Sequence, residues 1–226
     1  ATLDLKIIPN AVDIIPDGMR IGTIGSASAE YHPCIGEPPT EESTGTASAQ
    51  PKLGETPAGI PSPHHFGVLA DDDFVNQVLF AAYYGGGLCF TVGPENDTLP
   101  LNTALLSILA PDTFDELFPE PKDIIIETRP TSAPVAYAKG DSDINLAIDT
   151  FGLDIYADLD YRTAKVIGLD LNVDAGADLN FDNTVGQLDL QVNLTSEDLT
   201  ATTRHNEFAP GQDEDIADAI SGLFDT

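Results

Sequence analysis

Positive charge is scarce in this chain. Its 226 residues hold nine Lys and Arg against 38 Asp and Glu, a formal net charge of -29. Acidity of that size repels nucleic acid and anionic membrane surfaces, so neither is an expected partner. It reads as a solvated acidic coat that favours solubility and tolerates cations. No run approaches the roughly 20 apolar residues of a membrane span, so stable insertion is not expected. No signal peptide is visible; either one has been removed or the chain begins after it. Cysteine is limited to Cys34 and Cys89. Two such residues pair in an exported chain and stay reduced in cytosol. The acidic, Lys-poor, Gly/Pro-rich composition points to an extracytoplasmic protein, whether secreted, periplasmic or on the cell surface. The expectation is therefore a Cys34–Cys89 disulfide tethering the N-terminal segment to the end of the first helix; the alternative is two unrelated buried thiols. Catalytic signatures are missing too. There is no G-x-S-x-G, no H-E-x-x-H and no Gly-rich phosphate loop, so no enzyme is expected.

What is present is apolar alternation. The length suffices for one large or two small domains, and a hydrophobic content of 42% is ordinary for a folded protein. From Leu146 to Leu194 apolar residues alternate with Asp, Asn and Gln: Leu146, Ile148; Leu153, Ile155, Leu159; Ile167, Leu169, Leu171, Val173; Leu179, Phe181; Leu188, Leu190, Val192, Leu194. Period-two alternation over successive segments predicts antiparallel strands with one wet and one dry face. The dry face must meet a second sheet, a helix or a ligand.

Residues 3–29 alternate in two runs around Pro16-Asp17-Gly18, a turn signal, and predict a hairpin within a first unit, 1–34. Residues 35–63 are rich in Pro, Gly, Ser, Thr and Glu and read as a linker or surface loop. The main domain is expected over 64–226. Its first helix opens at Asp71-Asp72-Asp73, an N-cap and acidic first turn, and stops at Gly85-Gly86-Gly87. Phe74, Val75, Val78, Leu79 and Ala82 form its apolar stripe. Leu88–Val92 resumes as strand. Asn102–Phe118 carries one or two short helical stretches broken at Pro111. Asp123–Arg129 and a run after Ser132 are strands, with Pro134 marking a bulge or edge. After Thr200 a polar loop is expected, then a terminal amphipathic helix from Asp213 with Ile216, Ala217, Ile220, Leu223 and Phe224 on one face.

The segment VLADDDFVNQVLFAAYYGGGLCFTV resembles the first helix of a tubular lipid-binding (TULIP) domain of the bactericidal/permeability-increasing and lipid-transfer protein family. Leu69, Asp71, Phe74, Val75, Asn76, Gly87 and Leu88 hold the pattern's places. The Leu-rich stretch, the Phe-Pro step and Ser132-Ala133-Pro134 follow in the family's order. The likeness covers about residues 66–225. It implies an α+β fold, a highly curved antiparallel sheet wrapped around long amphipathic helices. The domain would be incomplete, since its second helix is cut short. It also implies a carrier of acyl lipid or sterol in an extracytoplasmic compartment, with the residues before it forming a preceding barrel or a shared sheet of a longer two-barrel chain. Lysine- and arginine-rich members bind lipopolysaccharide; this anionic chain departs from them.

The expected ligand is a phospholipid, fatty acid or sterol. The expected lining residues are Phe74, Val78 and Ala82 on the first helix and Ile220, Leu223 and Phe224 on the last. No cofactor is expected. Calcium is the one cation to weigh, at Asp141-Ser142-Asp143 or Asp178–Asn183. It needs about six to eight oxygens, and neither run closes such a shell. His64 and His65 are adjacent and point to opposite faces of extended backbone, and His32 with Cys34 lacks further ligands, so no metal site is expected. The rival reading is an acidic β-rich surface or assembly module with a dry core and no lipid.

Overall fold

The computed structural model of the chain describes residues 2–15, 18–36, 71–95, 101–137, 144–182 and 187–222. Most of the predicted linker, the pair His64-His65, and Leu223 and Phe224 lie outside the described residues.

Strands β1 (Leu3–Ile15) and β2 (Gly18–Ala29) form an antiparallel hairpin. Leu3, Leu5 and Ile7 face Ala29, Ala27 and Gly25 across the ladder. A register shift between Pro9 and Ala11 then inserts Asn10, and Val12 and Ile14 face Ile21 and Met19. Opposed residues share a side, so all of these stand on one side of the ribbon. Without the extra residue, the change from odd to even numbering would send Val12 and Ile14 to the other side. The opposite side carries Asp4, Lys6, Ile8, Ala11 and Asp13, facing Ser28, Ser26, Ile24, Gly22 and Arg20.

Helix α1 (Asp72–Tyr84) begins at Asp71, whose carboxylate accepts from the Asp73 N–H at 3.1 Å. It ends where Gly85 donates back to the Ala81 carbonyl at 2.9 Å and Gly86 takes φ +75. Left-handed backbone of that kind favours glycine, which is why the Gly run stops the helix. Phe74 lies directly on Gly25, where a Cβ would come within 2.4 Å of the ring. On the other flank, the Asn76 amide donates to the Ala136 carbonyl (3.0 Å) and accepts from its N–H (2.6 Å). One side chain thus completes a strand edge as a neighbouring strand would. The helix is held between the hairpin and β5 (Val135–Tyr137).

The large sheet is wholly antiparallel. It comprises β3 (Thr91–Val92), β4 (Ile124–Pro130), β5 (Val135–Tyr137), β6 (Ile144–Asp158), β7 (Thr163–Asp182), β8 (Gln187–Asn193) and β9 (Leu199–His205). The order is β3-β4-β6-β7-β8, with β5 also on β6 and β9 also on β7. The sequence ladder predicts several short strands, yet its first four segments fuse into two long ones, β6 and β7. The switch from even-numbered Ile148 to odd-numbered Phe151 looks like a break. It is a register shift inside β6, and a second shift accommodates Val166 in β7. Both keep the apolar residues on one face and bend the strands, which curls the sheet.

Strand β9 replaces the polar loop expected after Thr200. Only Leu199 is a large apolar residue on its inner side, so hydropathy alternation fades. The dense Thr run, well suited to a pleated surface, was the available signal. Partner β7 supplies the ladder hydrogen bonds.

Helices α2 (Leu106–Leu109), α3 (Pro111–Leu117) and α4 (Asp213–Gly222) cover one end of the inner face. Pro111 sits in the first turn of α3, where its missing N–H costs no helix bond. Leu106, Leu109, Phe114 and Ile216 pack with Ile124, Ile155, Ala157, Ile167 and Leu169 into the main core. Among the described residues no helix exceeds the 13 residues of α1. The architecture is a curled antiparallel sheet with short helices, α+β. A disulfide between Cys34 and Cys89, with Cα atoms 6.5 Å apart, ties the turn after β2 to the exit of α1.

Candidate functional site

The inner face of β6 and β7 divides into two halves. At the helix-covered end Ile155, Ala157, Ile167 and Leu169 are buried. Beyond them Phe151 faces Leu171, Ile148 faces Val173, Leu146 faces Ala175 and Ile144 faces Ala177. Ala175 and Ala177 are buried, being too small to project, but Ile144, Leu146, Ile148, Phe151, Leu171 and Val173 are all only half-buried. This end of the dry face has an apolar lining without a complete apolar cover.

Helix α1 repeats that condition. Phe74, Val78 and Ala82 share one stripe at four-residue spacing, and each is half-buried; the fully buried side chains of α1 are Ala81 and Tyr83. Ile220 has a different setting, packed against the α2–α4 core. The six expected lining residues therefore do not form one described cluster: three lie on α1, one lies in the main core, and Leu223 and Phe224 are outside the described residues. Leu146, Ile148, Leu171 and Val173 were visible in the ladder as strand residues and Ile144 and Phe151 were not; their incomplete burial depends on where the helices end.

The outer face holds the densest charge. Asp154 is fully buried, although it stands on the wet side of β6. Its carboxylate meets Lys165 Nζ at 2.7 Å, Arg204 Nη2 at 2.9 Å and Arg129 Nε at 3.2 Å. Arg204 Nε also reaches Asp170 at 2.9 Å. One aspartate thus joins β4, β6, β7 and β9 and engages three of the chain's nine cations. Two glycines make room. A Cβ on Gly152 would come 2.6 Å from the Arg129 carbonyl, and one on Gly168 would come 3.0 Å from Asp154 Oδ1. In the sequence Asp154 is one acid among many in the ladder, and nothing local marks it.

Two cavities accompany these features. One, of about 250 Å3, is lined by Arg129, Thr131, Thr150, Gly152, Asp170 and Arg204. The other, of about 380 Å3, lies at the β6–β7 turn and includes Asp123, Asp158, Asp160 and Arg162. The second is mostly polar, and neither is a closed apolar tunnel.

Metal-binding geometry is limited among the described residues. His32, Cys34 and Cys89 bring ligand atoms within 4.8 Å of one another, but both sulfurs are spent in the disulfide. Asp71, Asp72 and Asp73 also cluster, as the cap and first turn of α1. Asp178 accepts from Asn193 at 3.0 Å, while residues 141–143 and Asn183 lie outside the described residues. Near the disulfide, burial followed by the neighbouring Tyr31 raises the Tyr83 pKa above its ordinary value.

No family model and no curated protein matches this chain. Among solved structures, the crystal structure of a lipopolysaccharide binding protein is similar over 67% of this chain and 34% of that one. The identity is 13% and the TM-score 0.43. The chain spans about a third of that structure's length, and the likeness is a remote one of fold. No described helix is long and apolar enough to cross a membrane.

Proposed function

We propose that this chain is a non-enzymatic module that binds and carries a hydrophobic ligand, an acyl lipid or a sterol, in an extracytoplasmic compartment. One observation carries the reading. The inner sheet face is sealed at one end by α2–α4, against which Leu171 still packs, while Ile144, Leu146, Ile148, Phe151 and Val173 remain half-buried at the other. Apolar surface left in that state gains by acquiring a cover, and each acyl methylene buried there contributes about 0.8 kcal/mol. Phe74, Val78 and Ala82 extend the lining along α1. The ligand is held by its tails. With a net charge of -29, the chain is poorly suited to a polyanionic headgroup. The Cys34–Cys89 disulfide supports export, because such bonds persist in oxidising compartments.

The test is organic extraction of the purified protein followed by lipid mass spectrometry, with titration of a fluorescent fatty acid and a fluorescent sterol. A stoichiometric lipid, or saturable uptake that Ile148→Asp weakens about tenfold, supports the reading. An empty extract with no uptake of either probe refutes it. A second reading, an acidic β-rich assembly module, is favoured by the exposed apolar side of the hairpin.

A further inference from the structure

The β1–β2 hairpin displays its apolar side to solvent. Ile14 is 86% exposed, and Leu5, Ile7, Val12, Met19 and Ile21 are all more than half exposed. Helix α1 packs on β2, with Phe74 on Gly25. A two-stranded ribbon is marginal in water unless a third strand or a helix supports it. No described element gives that support to the distal half. The sequence nevertheless inserts Asn10 at the cost of a bulge, and this keeps Val12 and Ile14 on the side of Leu5 and Ile7. A residue arrangement that preserves a continuous apolar stripe on a solvent-facing ribbon is suited to a partner.

We propose that the partner is a second copy of this chain, with two hairpins stacked apolar side against apolar side, antiparallel about a two-fold axis. Edge-to-edge pairing is disfavoured by β1 itself: Lys6, Pro9 and the bulge are the features that blunt a strand edge. The face carries no such protection. Charge agrees with self-pairing. The strands hold Asp4 and Asp13 against Lys6 and Arg20, a net charge of zero within a chain of -29. Two copies of this surface meet without repulsion, whereas most other surfaces of two such chains repel. Length allows it as well. Twelve residues of β2 span about 40 Å at about 3.3 Å each. Antiparallel stacking sets the two acidic bodies at opposite ends, several Debye lengths of about 8 Å apart. The surface is self-complementary, as a two-fold interface requires. It is also small, which places it among weak, concentration-dependent dimers.

The experiment is sedimentation equilibrium of the full chain over a wide concentration range in about 0.15 M salt. The wild type is compared with Ile14→Asp, Val12→Asp and Ile24→Asp. Ile24 is 57% exposed on the opposite side, so its variant adds the same charge without touching the stripe. The expected result is a wild-type dimer, about tenfold or more weakened by Ile14→Asp and Val12→Asp and unchanged by Ile24→Asp, with far-UV circular dichroism the same in all four. A monomer at every concentration overturns the proposal. So does a dimer that all three variants weaken alike. Flotation with phosphatidylcholine vesicles, lost in Ile14→Asp while the chain alone stays monomeric, would assign the stripe to a lipid surface and overturn it too. The proposal stands or falls independently of ligand extraction.

Discussion

Replacing Asp154 by Asn keeps the side chain's size and removes the charge on which three cations converge. Those cations come from three strands other than its own, so the loss is felt across the sheet. Removing one partner of a buried ion pair costs about 3–5 kcal/mol. Here the acid is fully buried, but the side chains of Lys165, Arg204 and Arg129 keep 26%, 39% and 54% of their exposure. Water can therefore take up part of their charge, and the expected cost falls to about 2–3 kcal/mol. For a chain of this size that is a drop of about 4–12 °C in Tm. Removing a single cation, as in Arg204→Met or Arg129→Met, leaves two others on the carboxylate and costs about 1 kcal/mol. Urea unfolding with matched m-values measures both differences. The Asp154→Asn deficit persists in about 1 M NaCl, because salt screens a buried carboxylate poorly. A deficit below about 0.5 kcal/mol, or one no larger than that of Arg129→Met, would refute the clamp.

Other perturbations test the remaining supports. Reducing the Cys34–Cys89 bond frees a 55-residue loop and lowers stability by about 4 kcal/mol in the chain-entropy account; urea midpoints with and without dithiothreitol check it. Gly25→Val drives a side chain into Phe74 and costs about 1–3 kcal/mol, and Phe74→Ala in the same chain recovers part of it. Strict additivity of the two substitutions would rule out the contact. The raised Tyr83 pKa makes its neutral phenol a stabilising group, fully so below the unfolded value of about 10 and progressively less as pH climbs through the folded value. Ultraviolet titration should find a late-ionising phenol that Tyr83→Phe abolishes.

Local chemistry made several elements legible. The cap at Asp71 and the glycine run at 85–87 bound a helix because both act within a turn of the residues concerned. Pro111 separates α2 from α3 for an equally local reason, its missing N–H. The lining expected on α1 was accessible through the 3.6-residue period. What that period could not supply was the neighbour of each residue: Phe74 rests on a glycine of the hairpin, and Ile220 belongs to the α2–α4 core. Strand β9 was hidden for the same reason. Its inner side is small or hydroxylated, and its ladder belongs to β7, about thirty residues away in the chain.

The sequence by itself determined the alternation, the acidic wet face, the caps and the two cysteines, since each follows from side-chain chemistry over a few residues. Only the tertiary structure decided that breaks in alternation at residues 148–151 and 9–11 are bulges rather than turns, because the neighbouring strand sets the register there. The clamp at Asp154 was decided the same way. Other ladder acids, Asp170 and Asp189 among them, stand between apolar residues as it does, and only strand pairing brings Arg129, Lys165 and Arg204 to this one. Which apolar residues stay uncovered was a tertiary outcome too, fixed by where the short helices stop along the sheet.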